Sequence, residues 1–242
     1  MTDFATKLIN VAESNEATKG LITEEKAQRL SALSTHMLEV NEHLNLTAIR
    51  DEDGVILKHI VDSSACVPYI PTGARVADVG CGGGFPSLVI AILREDVSVL
   101  GVDSVAKKVK YVGDTATFLG LNNVCVSSRR AEELGQDKDY RETYDVVTAR
   151  AVARLNVLCE LCIPLLKLGG CFIAMKSLTT EEELAEAKNA IAQVGGELKS
   201  VNSYTLTDGN EALERTIIVI EKVKPTPQKY PRNNSQIAKK PL

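Results

Sequence analysis

Asp78-Val79-Gly80-Cys81-Gly82-Gly83-Gly84-Phe85-Pro86 is the stretch of this 242-residue chain whose residue types and spacing suit ligand chemistry. Glycines reach positive φ and carry no Cβ, so a small molecule can lie directly against the backbone of such a loop. The apolar Val76, Ala77 and Val79 in front of it predict a short buried strand, and Pro86 suits a helix's first turn. A dinucleotide fingerprint starting at Gly80 requires glycine or alanine at its sixth position, where the chain has the bulky Phe85. No Gly-Lys-Ser/Thr follows to make a phosphate-binding P-loop. The plain alternative is a glycine-rich turn that binds nothing.

The apolar run 97–102 predicts a second strand ending at Asp103, 19 residues after Gly84. A carboxylate there can accept hydrogen bonds from ribose hydroxyls, which suits an adenosine-type ligand without separating a nicotinamide dinucleotide from S-adenosylmethionine. Asp103 as an acidic cap ahead of Ser104 is the structural alternative. The loop itself resembles the acid-x-Gly-x-Gly-x-Gly turn of class I S-adenosylmethionine-dependent methyltransferases, matched by Asp78, Gly80, Gly82 and Gly84.

The elements that must position this loop follow from periodicity. Thr23 predicts the N-cap of a helix with Glu24 and Glu25 in its first turn and an apolar face through Leu30, Leu33, Met37, Val40 and Leu44. Asn45-Leu46-Thr47 ends it, and a second helix is expected over 53–67. Behind the glycine loop, 88–93 is apolar on nearly every side, as a helix covered by both sheet and helical cap would be. The 104–119 stretch predicts a helix exposing Lys107, Lys108 and Lys110 and burying Val109, Val112, Phe118 and Leu119. Further strands are expected at 124–126, 144–147 and 171–175, with a helix over 154–166 and an acidic helix capped by Thr179 or Thr180 and running to Val194. A final pair at 197–206 and 216–220 completes an α/β fold: a doubly wound, mostly parallel seven-stranded sheet of the class I methyltransferase kind, with an N-terminal helical extension. The division expected is a helical cap over 1–70 packed on the catalytic domain, a methyltransferase domain over 71–222, and a basic, proline-rich tail over 223–242.

Composition bounds the rest. A chain of this length can bury roughly 70–75% of its unfolded surface in one α/β domain. No apolar run reaches 18 residues and no secretory signal is present, so a cytoplasmic protein without membrane contact is expected. The six cysteines are scattered, and Cys159-x-x-Cys162 lies in an apolar run with no second pair or nearby histidine, so no metal is expected. His36, His43 and His59 are separated and read as packing or hydrogen-bonding residues. The net charge of −4 argues against nucleic-acid binding by the whole surface. From Lys222 onward, however, Lys224, Lys229, Arg232, Lys239 and Lys240 occur without an acidic side chain. Such a tail cannot fold alone; ordering against phosphates and plain solubilisation are both open to it.

Several stretches together resemble the bacterial RsmG family, also called glucose-inhibited division protein B. They are Asn41-Glu42-His43-Leu44-Asn45-Leu46-Thr47-Ala48-Ile49-Arg50, Lys58-His59-Ile60-Val61-Asp62-Ser63, the glycine loop through Pro86, Thr148-Ala149-Arg150-Ala151-Val152-Ala153 and Lys229-Tyr230-Pro231-Arg232, in order over nearly the whole chain. The resemblance implies methylation of N7 of one guanine in the 530 loop of 16S ribosomal RNA, with S-adenosylmethionine as cofactor and the RNA, within a small-subunit particle, as partner. It implies cofactor contacts for Gly80, Gly82, Gly84, Phe85, Asp103, Ala131, Glu132 and Arg150, and substrate or RNA contacts for Arg130, Lys176 and Arg215. In two places the chain departs from the family pattern. Ser87 stands where the family usually has glycine, which would tighten the helix start, and Asn233 to Ala238 replaces a Gly/Pro-containing tail motif.

Guanine N7 is a neutral nitrogen with a free lone pair at pH 7, so its attack on a sulfonium methyl requires alignment rather than a general base, and no catalytic residue is named. Positive charge moves onto the guanine, so a cation pressed on the ring would oppose transfer; the arginines suit phosphates or the O6 edge. Phe85 or Tyr111 could stack on a displaced base, with core packing the alternative for each. A small-molecule methyltransferase and a non-catalytic ribosome-assembly factor are the competing readings, and a monomer is compatible with all three.

Overall fold

The computed structural model describes residues 2–150, 153–177 and 181–242. Ala151 and Val152 of the sequence motif, and the Thr179/Thr180 cap, lie outside the described residues. Helix α1 (Asp3–Glu13) is capped by Thr2, and α2 (Glu24–Leu44) by the expected Thr23, whose hydroxyl accepts from Lys26 N at 3.4 Å. Asn45 ends α2 in the left-handed region at φ 49°, which short polar side chains tolerate. The expected second helix is not regular. It runs as α3 (Glu52–Val55), a π-helical stretch Ile56–Val61, and α4 (Asp62–Ser64). A π-turn inserts an extra residue and re-aims the side chains that follow it, a departure hydrophobic spacing does not encode.

Strand β1 (Arg75–Val79) leads through the glycine loop to α5 (Ser87–Leu93); β2 (Ser98–Val102), α6 (Ala106–Phe118) and β3 (Val124–Ser127) complete one wing. The other wing holds α7 (Ala131–Gln136), β4 (Tyr144–Arg150), α8 (Leu155–Cys162), β5 (Leu166–Lys176), α9 (Glu181–Gln193), β6 (Gly196–Thr207) and β7 (Ala212–Lys222), and α10 (Asn234–Lys239) follows. The sheet order is β3-β2-β1-β4-β5-β7-β6, parallel from β3 to β5 and antiparallel at β7 and β6.

Each face of the sheet has its own apolar cluster. One joins Phe4, Leu8, Leu30, Leu33, Met37 and Ile60 from the N-terminal helices to Leu88, Ile90 and Ile92 of α5 and to the sheet. Every residue of α5 is buried, since sheet and N-terminal helices enclose it. Each fully buried leucine or isoleucine there contributes about 2 kcal/mol. The second cluster packs α7, α8 and α9 on the opposite face through residues such as Leu134, Leu158, Phe172 and Ile191.

The two aromatic residues singled out on α6 differ: Phe118 departs from expectation, and Tyr111 takes the core-packing alternative. Phe118 is exposed rather than buried, covered on one ring face by His36 at 4.6 Å between centroids. Tyr111 is buried and lines none of the cavities described below, so it is a core residue and not a platform for a base. The C-terminal segment is seated on the domain through Tyr230 and Ile237, both buried.

Candidate active site

Gly80, Gly82 and Gly84 take φ of 77°, 54° and 88°. The loop is closed by Gly80 N and Cys81 N donating to Val102 O at 2.7 and 3.0 Å, and by Gly84 N donating to Cys81 O at 2.8 Å. Asp78 is fully buried beneath it and accepts from Ser87 N at 3.1 Å, from the Ser87 hydroxyl, and from Thr148 Oγ1 at 3.0 Å. Its role is to tie β1, α5 and β4 under the loop rather than to touch a ligand. Ser87 supplies the extra donor that a glycine in that place would lack.

Beside the loop, at the carboxyl ends of β1 and β2, a cavity of about 300 Å³ is lined by Val79, Gly80, Val102, Asp103, Ser104, Arg130, Ala131, Glu132 and others. It sits by β1, which pairs with β2 on one side and β4 on the other, the switch point where open α/β sheets bind ligands. Asp103 accepts from Gly82 N at 3.0 Å through Oδ2 and from Val105 N at 2.8 Å through Oδ1, leaving each oxygen a further lone pair. It therefore both steadies the loop and offers an acceptor to a ribose. Glycine backbone without Cβ, a carboxylate at the second strand's end and Ala131-Glu132 around one cavity fit the adenosine of S-adenosylmethionine. Arg130, expected on the RNA side, lines this cavity instead.

On the other side of the loop two cavities share His59 and Arg150. The first, about 160 Å³, adds Met37, Leu46, Thr47, Gly80, Gly82, Gly83 and Phe85, so that Phe85, expected at the cofactor, lies here and not in the adenosine-side cavity, while Gly84 lines neither; the second, about 320 Å³, adds Lys58, Asp62, Met175, Lys176, Tyr204 and Arg215. Arg150 lines both of these and not the adenosine-side cavity. Its Nη1 donates to Lys58 O at 2.8 Å and Asp62 Oδ2 at 3.0 Å, while Nη2 reaches His59 Nδ1 at 3.3 Å. Arg215 Nε donates to the other oxygen of Asp62 at 2.8 Å. Lys176 is held by Glu183 at 2.6 Å and by Ala153 O at 3.2 Å.

His59, which the sequence reads as a packing or hydrogen-bonding residue, does both here, while Asp62 and Thr47 are site residues not expected from the sequence. Arginine only donates, so His59 Nδ1 accepts and its Nε2–H is given to Thr47 Oγ1 at 2.8 Å. Thr47 is fixed in turn by Asn41, which exchanges two 3.0 Å bonds with its backbone. The imidazole stacks on Phe85 at 4.6 Å between centroids and 15° between planes. The available signal was the three-residue spacing of His59 and Asp62 on one helix.

Burial first, then the Arg150 charge, lowers the His59 pKa from 6.5 to about 3. The unfolded chain binds a proton below about pH 6.5 and the folded one does not, so the stability associated with neutral His59 is complete above that pH. It is lost by about 1.4 kcal/mol per pH unit as pH falls towards 3. Urea unfolding is expected to show a shallower loss between about pH 7 and pH 5 for His59→Gln than for the unaltered chain; equal slopes would place the acid sensitivity elsewhere.

Among the described residues no group of three histidine, cysteine or acidic side chains is arranged to hold a metal, and no helix is long and apolar enough to cross a membrane. Cys159 and Cys162 are buried free thiols whose pKa values burial pushes upward.

Sheet order, glycine loop and flanking acid define a class I S-adenosylmethionine-dependent methyltransferase. Solved structures share the fold at low identity. A 16S rRNA (adenine(1408)-N(1))-methyltransferase from Catenulisporales acidiphilia, solved with S-adenosylmethionine, superposes with TM-score 0.52 at 14% identity over 64% of this chain and 88% of that one. An S-adenosylmethionine-dependent O-methyltransferase from Thermotoga maritima gives TM-score 0.51 at 17% identity over 79% and 72%. Sequence places the chain more narrowly. The family model for rRNA small subunit methyltransferase G (GidB) matches residues 26–213, and the chain belongs to that family. Ribosomal RNA small subunit methyltransferase G of Lactobacillus delbrueckii subsp. bulgaricus is 46% identical over 89% of this chain and 91% of the relative, and that of Deinococcus radiodurans 44% identical over 90% and 85%.

Proposed function

We propose that this chain methylates N7 of one guanine in the 530 loop of 16S ribosomal RNA, in the cytoplasm and as a monomer, on RNA within a small-subunit particle. The observation that carries this reading is the pair of cavities joined through His59 and Arg150. One reaches the glycine loop, and the other opens among Lys58, Lys176 and Arg215, where an RNA backbone would be held.

S-adenosylmethionine supplies an electrophilic methyl when bound. Gly80, Gly82, Asp103, Ala131 and Glu132 would hold it, Gly84 shapes the turn against Leu88 and lines neither cavity, and Phe85 with His59 forms an aromatic floor on the acceptor side of the loop. A base displaced from its stack gains about 1–3 kcal/mol from such a floor. No proton has to be removed from N7, and the neutral His59 suits a role in shape and orientation. Arg150, Lys176 and Arg215 hold the oxygen edge of the base and its phosphates, their charge partly offset by Asp62 and Glu183.

The test is transfer of labelled methyl groups to small subunits from cells lacking the protein, followed by mapping of the modified base. A single N7-methylguanine in the 530 loop is expected. Cofactor binding without methyl incorporation into subunits or their extracted RNA would overturn the proposal in favour of an assembly factor or a small-molecule enzyme.

A further inference from the structure

The C-terminal segment does not trail into solvent. Arg232, beyond the last strand, lays its guanidinium across Glu160 of α8: Nε donates to Oε1 at 2.8 Å, Nη2 to Oε2 at 2.5 Å, and the Arg232 backbone N–H to Oε1 at 2.9 Å. Glu160 is fully buried, and burying a carboxylate is costly unless it is paired in this way. On the other flank Arg141 donates to Tyr230 O at 2.7 Å and Thr226 O at 2.6 Å, and Gln136 of α7 donates to Pro231 O at 2.8 Å. Past these anchors the chain turns at Asn233, whose side chain caps α10 by accepting from Gln236 N at 3.0 Å.

Two of the anchors, Gln136 and Glu160, sit on α7 and α8, and Arg141 lies between α7 and β4; α7 and α8 line the adenosine-side cavity through Ala131, Glu132, Val157 and Leu161. Asn234, the first residue of α10, lines the same cavity. A carboxamide there offers two donors and an acceptor at the mouth of the cavity, the complement of an adenine edge or a ribose hydroxyl. Resting on the cofactor reading above, we infer that residues 230–242 form the outer wall of the cofactor cavity and that Asn234 is a cofactor-contacting residue. The divergent tail sequence of this chain is then part of its cofactor site rather than a solubilising extension. Because the wall and the ligand share one cavity, each stabilises the other by the same factor.

S-adenosylhomocysteine binding to the full chain, measured by calorimetry, and trypsin cleavage after the exposed Lys239 test both parts. Asn234→Ala, at an exposed position outside the core, is expected to raise Kd about two- to tenfold, the order of one lost hydrogen bond. Saturating S-adenosylhomocysteine is expected to slow tail cleavage several-fold in the unaltered chain and less in the variant. An unchanged Kd for Asn234→Ala would overturn the contact, and cleavage indifferent to the ligand would overturn the wall. Failure of the unaltered chain to bind S-adenosylhomocysteine at all would overturn the cofactor reading and this inference with it.

Discussion

Replacing Asp62 with alanine is expected to lower methyl transfer by at least about 100-fold while leaving S-adenosylhomocysteine affinity within about threefold, because the change falls on the acceptor side and not in the adenosine-side cavity. Asp62 is buried, and among the described residues it is the one acid lining the basic acceptor cavity, where its two oxygens separately hold Arg150 and Arg215. Without it those guanidiniums lose the acceptor that aligns them. Two uncompensated cations would also stand where the base becomes positive, an arrangement that raises the barrier as charge develops. Breaking a buried ion pair from one side destabilises by about 3–5 kcal/mol, so part of the effect will be on folding. Asp62→Asn separates the contributions: it keeps an acceptor oxygen for one arginine and removes the charge. Its rate is expected to lie between those of the alanine variant and the unaltered chain, with the loss in kcat rather than in cofactor binding. Full activity of Asp62→Ala under conditions where it is folded would remove Asp62 from the site.

Much of this arrangement is legible from local rules, and the rest depends on pairings far apart in the chain. Thr23 and Asn45 bracket α2 as the sequence predicts because capping depends on neighbouring residues alone. The glycine loop is equally local: its residue types state which positions need positive φ. Asp62 meets Arg150 across 88 residues and Arg215 across 153, and nothing in the spacing around any of the three encodes those contacts. The π-helical stretch before it is invisible to a search for regular periodicity. Phe118 shows a different limit. Seven residues beyond Tyr111, it falls on the same stripe of α6, yet it lies exposed at the helix end with only His36 against it. Glu160 carried a readable signal, an acid inside the apolar run from Leu155 to Leu166, and a buried acid requires a cation; its partner Arg232 lies 72 residues away in a tail whose composition left phosphate binding and solubilisation both open.

Gly84→Val is expected to abolish measurable S-adenosylhomocysteine binding and methyl transfer together, the opposite signature to the acceptor-side change. At φ 88° an L-residue is strained, and a Cβ built on Gly84 would stand 2.5 Å from Leu88 Cδ1 and 2.8 Å from Leu88 Cγ. Leu88 is fully buried in α5 and has no room to retreat, so the loop must move instead. Left-handed strain and overpacking together cost about 2–5 kcal/mol, enough to displace the backbone N–H groups without unfolding a domain of ordinary stability. Gly82→Ala isolates ligand space from packing. Gly82 is also left-handed, at φ 54°, but a Cβ there meets only Gly80 O at 3.8 Å, so protein packing does not resist it and a methyl group would stand on the open side of the loop. Gly82→Ala should therefore lose only the roughly 1–2 kcal/mol of left-handed strain, with no overpacking added, and still lose at least about tenfold in S-adenosylhomocysteine affinity. Unimpaired binding by Gly84→Val would show that the loop tolerates reshaping and does not cradle the cofactor, whereas loss of stability without loss of affinity in Gly82→Ala would assign that glycine to the turn alone.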